Sequence, residues 1–267
     1  MQPWFARVSR KSCSERPDAQ QKMLEIMADS YRSFAELATH ETEGVHYRIR
    51  LRLRASSVAI VAPHGGNIEP ATSEIAASIA ANEFSLYCFE GLAPRKRGVS
   101  LHITSERFDE PQGLALVASS EFVVGVHGRK NGLDDRTVWL GGLQEDLRDA
   151  ISAALELRGF AVKTVGDGHP LSGRGKANIC NWGLAAAGVQ LEVPRTLRKM
   201  LLMNAFLRVN FAAAVRETIQ RKIGHRDNSI VSSPACAGQA AIHRKSATAF
   251  IGAVPQMTST TSRAVRL

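Results

Sequence analysis

Residues 58–62, Val-Ala-Ile-Val-Ala, form an unbroken aliphatic run that stops at Pro63-His64-Gly65-Gly66, with Glu69 and Pro70 following closely. A short apolar run without polar alternation is the pattern of a strand covered on both faces, and so of a parallel sheet between layers of helices. Proline cannot donate to a ladder, so the strand is expected to stop at Pro63 and leave His64 at its carboxyl end. The glycine pair permits a tight, positive-φ turn. Pro70 suits the first turn of a helix continuing through residues 71–76. Glu69 then stands at the helix start, facing back toward His64. Imidazole and carboxylate brought together in this way suit zinc, whose catalytic sites typically have three protein ligands and a water. The pair lacks a third ligand, however, and a histidine after a strand followed by an acidic helix start is also ordinary α/β punctuation.

The remaining chain supplies further strands. Residues 84–89 read as a strand, so strand, helix and strand form a parallel crossover unit. Residues 101–109 read as an extended piece and residues 111–119 as a helix. Residues 122–126, Phe-Val-Val-Gly-Val, form a second buried run that ends at His127-Gly128. Residues 143–159 are amphipathic with a glycine stop, and 160–165 read as a strand. Residues 166–181 are rich in Gly, Ser, His and Asn and read as an irregular loop over a site. Residues 189–193 form the last strand, with Glu192 inside it, and residues 196–220 the last helix. Tyr47-Arg-Ile-Arg-Leu-Arg-Leu-Arg54 alternates apolar and basic residues. This suggests a strand whose positive face either meets a polyanion or guards an edge against aggregation. Residues 19–41 carry apolar positions at helical spacing.

The net charge of +9 makes the placement of charge important. Seven basic residues against Asp227 alone follow Gln220, so +6 lies there and +3 in the rest. A basic excess raises polyanions as partners, but a nearly balanced body confines that expectation to non-specific nucleic-acid contact through the tail. The expected organisation is a flexible arm over 1–16, one catalytic domain over 17–223 and a disordered basic tail over 224–267. Cys13, Cys88, Cys180 and Cys236 show no CxxC spacing and read as free thiols. No run of about 18 apolar residues suggests a membrane span, and no export signal is visible at the N-terminus. The default expectation is a cytoplasmic monomer, with release to act outside the cell as the alternative.

Ligands in open α/β sheets gather beyond the carboxyl ends of the strands, where His64, Glu69 and His127 are all expected. Glu192, inside an otherwise apolar strand, is either a wet-site carboxylate or an ion-pair partner of Arg195 or Arg198. At this point the chain resembles the zinc-dependent poly-gamma-glutamate hydrolases of phage and bacteria, which are similar in fold to zinc carboxypeptidases. The resemblance runs over residues 31–220. It is carried by Tyr31-Arg-Ser-Phe-Ala-Glu-Leu37, His64-Gly-Gly-Asn-Ile-Glu-Pro-Ala-Thr-Ser-Glu74, Leu101-His-Ile-Thr-Ser105, Phe108-Asp-Glu-Pro111, Val126-His-Gly128, Gly141-Gly-Leu143 and Gln190-Leu-Glu192. Asn67 and Ala71 stand where family members often carry glycine.

The resemblance implies a single-domain α/β fold with a mixed, largely parallel sheet flanked by helices. It implies one zinc held by His64, Glu69 and His127, with Glu192 as general base. The implied reaction is hydrolysis of the gamma-linked amide of polyglutamate, whose free carboxylates need cationic partners: His102, Arg129, Arg195 and Arg198 are the candidates, with Arg174 and Lys176 behind them. Two other readings stay open. One is a zinc amidase or deacylase acting on another acidic amide or a peptidoglycan peptide. The other is a basic nucleic-acid-associated module.

Overall fold

A computed structural model describes residues 29–92 and 100–231, with side chains described as far as residue 225. The expected arm, residues 19–28 of the segment 19–41 and the tail beyond Val231 lie outside the described residues. By compactness the chain divides into two units, Met1–Gln220 and Arg221–Leu267. The first is built around one seven-stranded sheet.

In chain order the elements are α1 (Phe34–His40), β1 (Tyr47–Arg52), β2 (Val58–Gly66), α2 (Thr72–Ala80), β3 (Ser85–Gly91), α3 (Pro111–Ala118) and β4 (Phe122–Arg129). Then come β5 (Val138–Gly142), α4 (Glu145–Leu157), β6 (Val162–Thr164), a 3₁₀ turn (Ile179–Asn181), β7 (Val189–Pro194), α5 (Arg195–Met203) and α6 (Ala205–Val231). The strand order is β1-β3-β2-β4-β7-β5-β6. The four central strands are mutually parallel, β1 runs antiparallel to β3, and the parallel pair β5–β6 is antiparallel to β7. The mixed, largely parallel sheet is therefore the expected one.

β2 is buried from Val58 to Gly65 and β3 throughout, which is why both read as continuous apolar runs. On one face, Ala59, Val61, Tyr87, Phe89 and Val123 pack with Leu37, Ile103, Phe108, Leu116 and Ile179. The other face is covered by helices. Arg216 on α6 donates to Ser78 O at the end of α2, and Phe211 meets Phe160 edge-on at 5.1 Å. The chain connects β2 to β3 on one side and then places β4 on the other side of β2. The crevice between the carboxyl ends of β2 and β4 is thus a switch point, where open α/β sheets hold their ligands.

Several local expectations are corrected. β2 does not stop at Pro63 but runs to Gly66, because its register against β3 shifts between Ala62 and Gly65. The missing proline donor falls in this bulge, where the ladder is already interrupted. β4 likewise continues past His127 to Arg129, and β5 is a strand that the periodicity did not mark. α2 starts at Thr72 rather than at Pro70, after Ala71 takes the left-handed conformation at φ 78°. The segment 196–220 is two helices separated at Asn204, and the second continues beyond Gly224 to Val231. β1 is an edge strand, as its alternation suggested. Its Arg48 and Arg50 both pair with the buried Glu90, at 2.5 and 3.1 Å. Among the described residues Cys88 and Cys180 are free and buried, and no helix is long and apolar enough to cross a membrane.

Candidate metal centre

The turn after β2 is what brings Glu69 to His64. The Ile68 amide donates to Gly65 O at 3.2 Å and the Glu69 amide to His64 O at 2.8 Å, so the chain closes back on the strand end. Thr72 Oγ1 donates to Glu69 O at 2.9 Å and pins the turn to the first residue of α2. The glycine pair is required by space as well as by conformation. A Cβ on Gly65 would collide with Ser73 Oγ, and one on Gly66, at φ 59°, with the Gly91 carbonyl.

Three side chains meet at this point. His64 Nδ1 lies 3.3 Å from Glu69 Oε1 and 3.2 Å from His127 Nδ1, and His127 Nδ1 lies 4.0 Å from Glu69 Oε2. Among the described residues these three form a group able to hold an ion. Two zinc–ligand bonds of about 2.0–2.1 Å at a tetrahedral angle separate their donor atoms by about 3.3 Å, so the two spacings from His64 match the metal, while His127 and Glu69, at 4.0 Å, would draw closer around it. Outer contacts support the same assignment. His64 Nε2 is 2.7 Å from Ile103 O, which can only accept, so that nitrogen carries a proton and Nδ1 is the atom available to a metal when the ring is neutral. His127 Nε2 lies 3.5 Å from Ser105 Oγ. The Gly128 amide donates to Glu69 Oε2 at 2.6 Å.

The electrostatics follow from burial and proximity. Burial opposes charge on His64, but the Glu69 carboxylate beside it raises its pKa. His127 is pushed down to about 3, first by burial and then by repulsion from His64. Burial works against ionisation of Glu69, yet His64 outweighs it and brings the carboxyl down to about 2. Glu192 is raised well above the usual carboxylate range by burial and then by the Glu69 charge. A divalent cation would invert that balance by supplying the largest positive charge in the site.

Glu192 stands directly across from His127 on the neighbouring strand and, on its other side, from Trp139. It forms no ion pair with Arg195 or Arg198. Its described partner is Gln190, whose Nε2 donates to Glu192 Oε1 at 2.8 Å. His102 stacks on His64 with ring centroids 4.0 Å apart, and its Nδ1 is 2.6 Å from Asp29 Oδ1. Its side chain is one-third exposed, which leaves it open toward solvent.

The other basic candidates are placed differently. Arg129 is buried under Trp139, with its guanidinium carbon 3.9 Å from a ring centroid. Its terminal nitrogens donate to the carbonyls of Lys130, Asn131, Asp134 and Thr137 and to the Asp134 carboxylate. Arg198 is also buried. It donates to Val193 O at 3.1 Å and Pro70 O at 2.6 Å and lies where any side chain on Gly128 would collide with it. Arg174 is paired with Asp167 and Glu145, while Arg195 and Lys176 are exposed. Sequence reasoning did not single out Asp29, Asn178 or Gln190. Only the block Gln190-Leu-Glu192, quoted for its last residue, contained a hint.

Comparison with known proteins gives one consistent result. Residues 31–220 match the family model of poly-gamma-glutamate hydrolase. The chain is 34% identical over 171 residues to the UPF0714 protein YmaC of Bacillus subtilis (strain 168), covering 64% of this chain and 71% of YmaC. It is also 34% identical over 173 residues to YndL of the same organism, covering 65% of this chain and 67% of YndL. Two solved structures share the fold. A bacteriophage poly-gamma-glutamate hydrolase superposes with a TM-score of 0.68 at 29% identity, over 74% of this chain and 99% of its own. The zinc-free apo form of YndL superposes with a TM-score of 0.67 at 30% identity, over 73% and 98%. The match spans the strand-end histidines, the glutamate turn and the sheet that carries them, and the chain belongs to the poly-gamma-glutamate hydrolase family.

Proposed function

We propose that this chain hydrolyses the gamma-glutamyl amide bonds of poly-gamma-glutamate with one zinc held by His64 Nδ1, His127 Nδ1 and Glu69, and with Glu192 as general base. The observation that carries the reading is that His64, His127 and Glu69, on three separate segments, each bring one ligand atom to within 4.8 Å of the other two, in a family whose relative YndL is known in a form called zinc-free. When bound, zinc supplies the Lewis acidity that polarises an amide carbonyl and acidifies water. The chain's own residues do the rest. Ile103 fixes the His64 tautomer, and the 64–69 turn delivers Glu69 without a long, mobile connection. Glu192 takes a proton from the attacking water as its oxygen bonds to the amide carbon. It returns that proton to the leaving nitrogen as the carbon–nitrogen bond breaks.

Polyglutamate presents a free carboxylate on every residue, which hydrogen-bond donors and cations beside the site would meet. His102, partly exposed and with its pKa lowered by burial and by His64, stacks on a metal ligand and offers a ring N–H, and Arg195 is exposed just beyond the end of β7. Arg129, through both terminal nitrogens, and Arg198, through Nε and Nη1, donate to groups inside the fold, so in this reading they support the site and do not grip substrate. The test is direct. Purified full-length protein is incubated with poly-gamma-glutamate as isolated, after chelation, and after zinc is restored, and polymer size is followed by gel filtration. Loss of cleavage on chelation and recovery with zinc is the expected result. Cleavage that persists in protein shown to be metal-free by elemental analysis rejects the zinc reading.

A further inference from the structure

Glu192 is linked to the loop over the site by a chain of hydrogen bonds whose direction is fixed at every step. Asn178 Oδ1 accepts the Cys180 amide at 3.1 Å, capping the 3₁₀ turn, so Asn178 has its Nδ2 left to donate. That donor meets Gln190 Oε1 at 2.9 Å. Gln190 Oε1 is thereby an acceptor, and its Nε2 donates to Glu192 Oε1 at 2.8 Å. A backbone amide can only donate, so no amide in the chain can flip without losing a bond. All three side chains are buried. Gln190 and Glu192 lie two apart on β7 and so share one face of the sheet.

We propose that Gln190, itself oriented by Asn178, is a positioning residue that holds Glu192 by Oε1 and so commits Oε2 to proton transfer. The proposal rests on the reading of Glu192 as the general base. Oε1 receives the Gln190 proton donor and cannot present a proton of its own along that line, so a proton gained from water resides on Oε2. From there it passes to the departing amine nitrogen, which leaves Glu192 unchanged over the cycle. The loop is shaped to keep the relay in place. Gly173 sits at φ 61° against Gln190, and a Cβ there would come within 2.8 Å of the Gln190 amide. Asn181 Nδ2 donates to the carbonyls of Gly173 and Gly175 at 2.8 and 2.9 Å, and its Oδ1 accepts the Gly188 amide at 3.0 Å. Thus the glycine-rich segment, which from sequence was only an irregular loop, closes on the residue that aims the base.

The experiment compares Gln190→Met, Asn178→Asp, the double variant and Glu192→Gln as zinc-loaded full chains, with zinc content, kcat and KM for poly-gamma-glutamate measured on each. Methionine keeps the length of glutamine but cannot donate. Aspartate can accept the Cys180 amide but cannot fix the Gln190 amide. The expected result is unchanged zinc and KM, with kcat lowered roughly 10- to 100-fold in each single variant, as for misplaced reacting groups in general. The double variant should be no slower than the slower single one, because both act through one bond. A native kcat in Gln190→Met, or losses that multiply in the double variant, overturns the proposal while an inactive Glu192→Gln leaves the general base standing. Should Glu192→Gln keep the native rate, the general-base reading falls and the proposal with it. A second readout needs neither turnover nor zinc. In metal-free native protein the Gln190 side-chain amide protons should exchange slowly by NMR, and Asn178→Asp should speed that exchange. Exchange as fast as that of an exposed glutamine overturns the relay.

Discussion

His64 Nδ1 and His127 Nδ1 face each other at 3.2 Å within the fold, each held there by its own strand end. Two lone pairs at that distance repel unless a proton or a cation lies between them. In the metal-free protein the proton belongs to His64, which Glu69 favours despite burial, and not to His127, which lies at about 3. A zinc ion bound as proposed would have to displace it. Zinc affinity should therefore weaken as pH falls into the range where His64 is protonated, and binding near neutrality should release protons. Chelator competition at several pH values checks this, together with calorimetry in buffers of different ionisation enthalpy. Affinity that is flat with pH would contradict it.

His64→Ala, Glu69→Ala and His127→Ala are each expected to abolish stoichiometric zinc, because the turn and the two strands supply one donor apiece. Elemental analysis after dialysis is the measurement. A variant that keeps one zinc per chain removes that residue from the ligand set.

Glu192→Gln preserves the shape of the side chain but cannot take a proton. Turnover should fall roughly 10²- to 10⁴-fold, with zinc retained and the melting temperature little changed, since no ion pair to Arg195 or Arg198 is lost. A marked destabilisation with native turnover per folded molecule would instead make Glu192 a structural carboxylate.

Ala71 occupies the left-handed region at φ 78° between Pro70 and α2. An L-residue there costs roughly 1–2 kcal/mol, while glycine returns roughly 0.4–1 kcal/mol of unfolded-state entropy. Ala71→Gly is therefore expected to be neutral or stabilising by up to about 1 kcal/mol, and to leave zinc binding intact. Denaturant unfolding of metal-free protein measures it. A clear loss of stability would contradict the strain.

Asp29 accepts from the Thr104 amide at 2.8 Å and Arg107 Nη2 at 2.6 Å and meets His102 Nδ1 at 2.6 Å. Burial opposes its ionisation, but the bonds from His102 and Thr104 outweigh burial and bring its carboxyl down to about 2. A carboxyl depressed on folding stabilises the protein fully above its unfolded value, about 3.9. That contribution is lost as pH falls from there through about 2. Asp29→Asn should flatten the acid limb of the stability–pH curve in that window and lower stability at neutral pH. An unchanged acid limb would refute the assignment.

The sequence by itself determined the parts of this protein that are local. Continuous apolar runs disclosed β2, β3 and β4, alternation disclosed the edge strand β1, a short run bounded by Pro194 disclosed β7, and local order placed His64 and His127 at strand ends, Glu69 at a helix start and Glu192 late in a strand. Backbone periodicity and turn chemistry act over a few residues, so they leave a readable pattern. What the tertiary structure decided depends on groups distant in the chain. Pro63 is tolerated inside β2 only because the register against β3 slips there. β5 was hidden by its brevity and its two glycines, and becomes a strand by pairing with β7 and β6. Arg129 and Arg198 looked like free cations until the fold surrounded them with carbonyl oxygens. Asp29 reaches the site across 75 positions to Thr104, and Asn178 reaches Gln190 across 12. A hydrogen bond's direction is set only once both partners and their neighbours are in place, and no spacing in a linear chain records it.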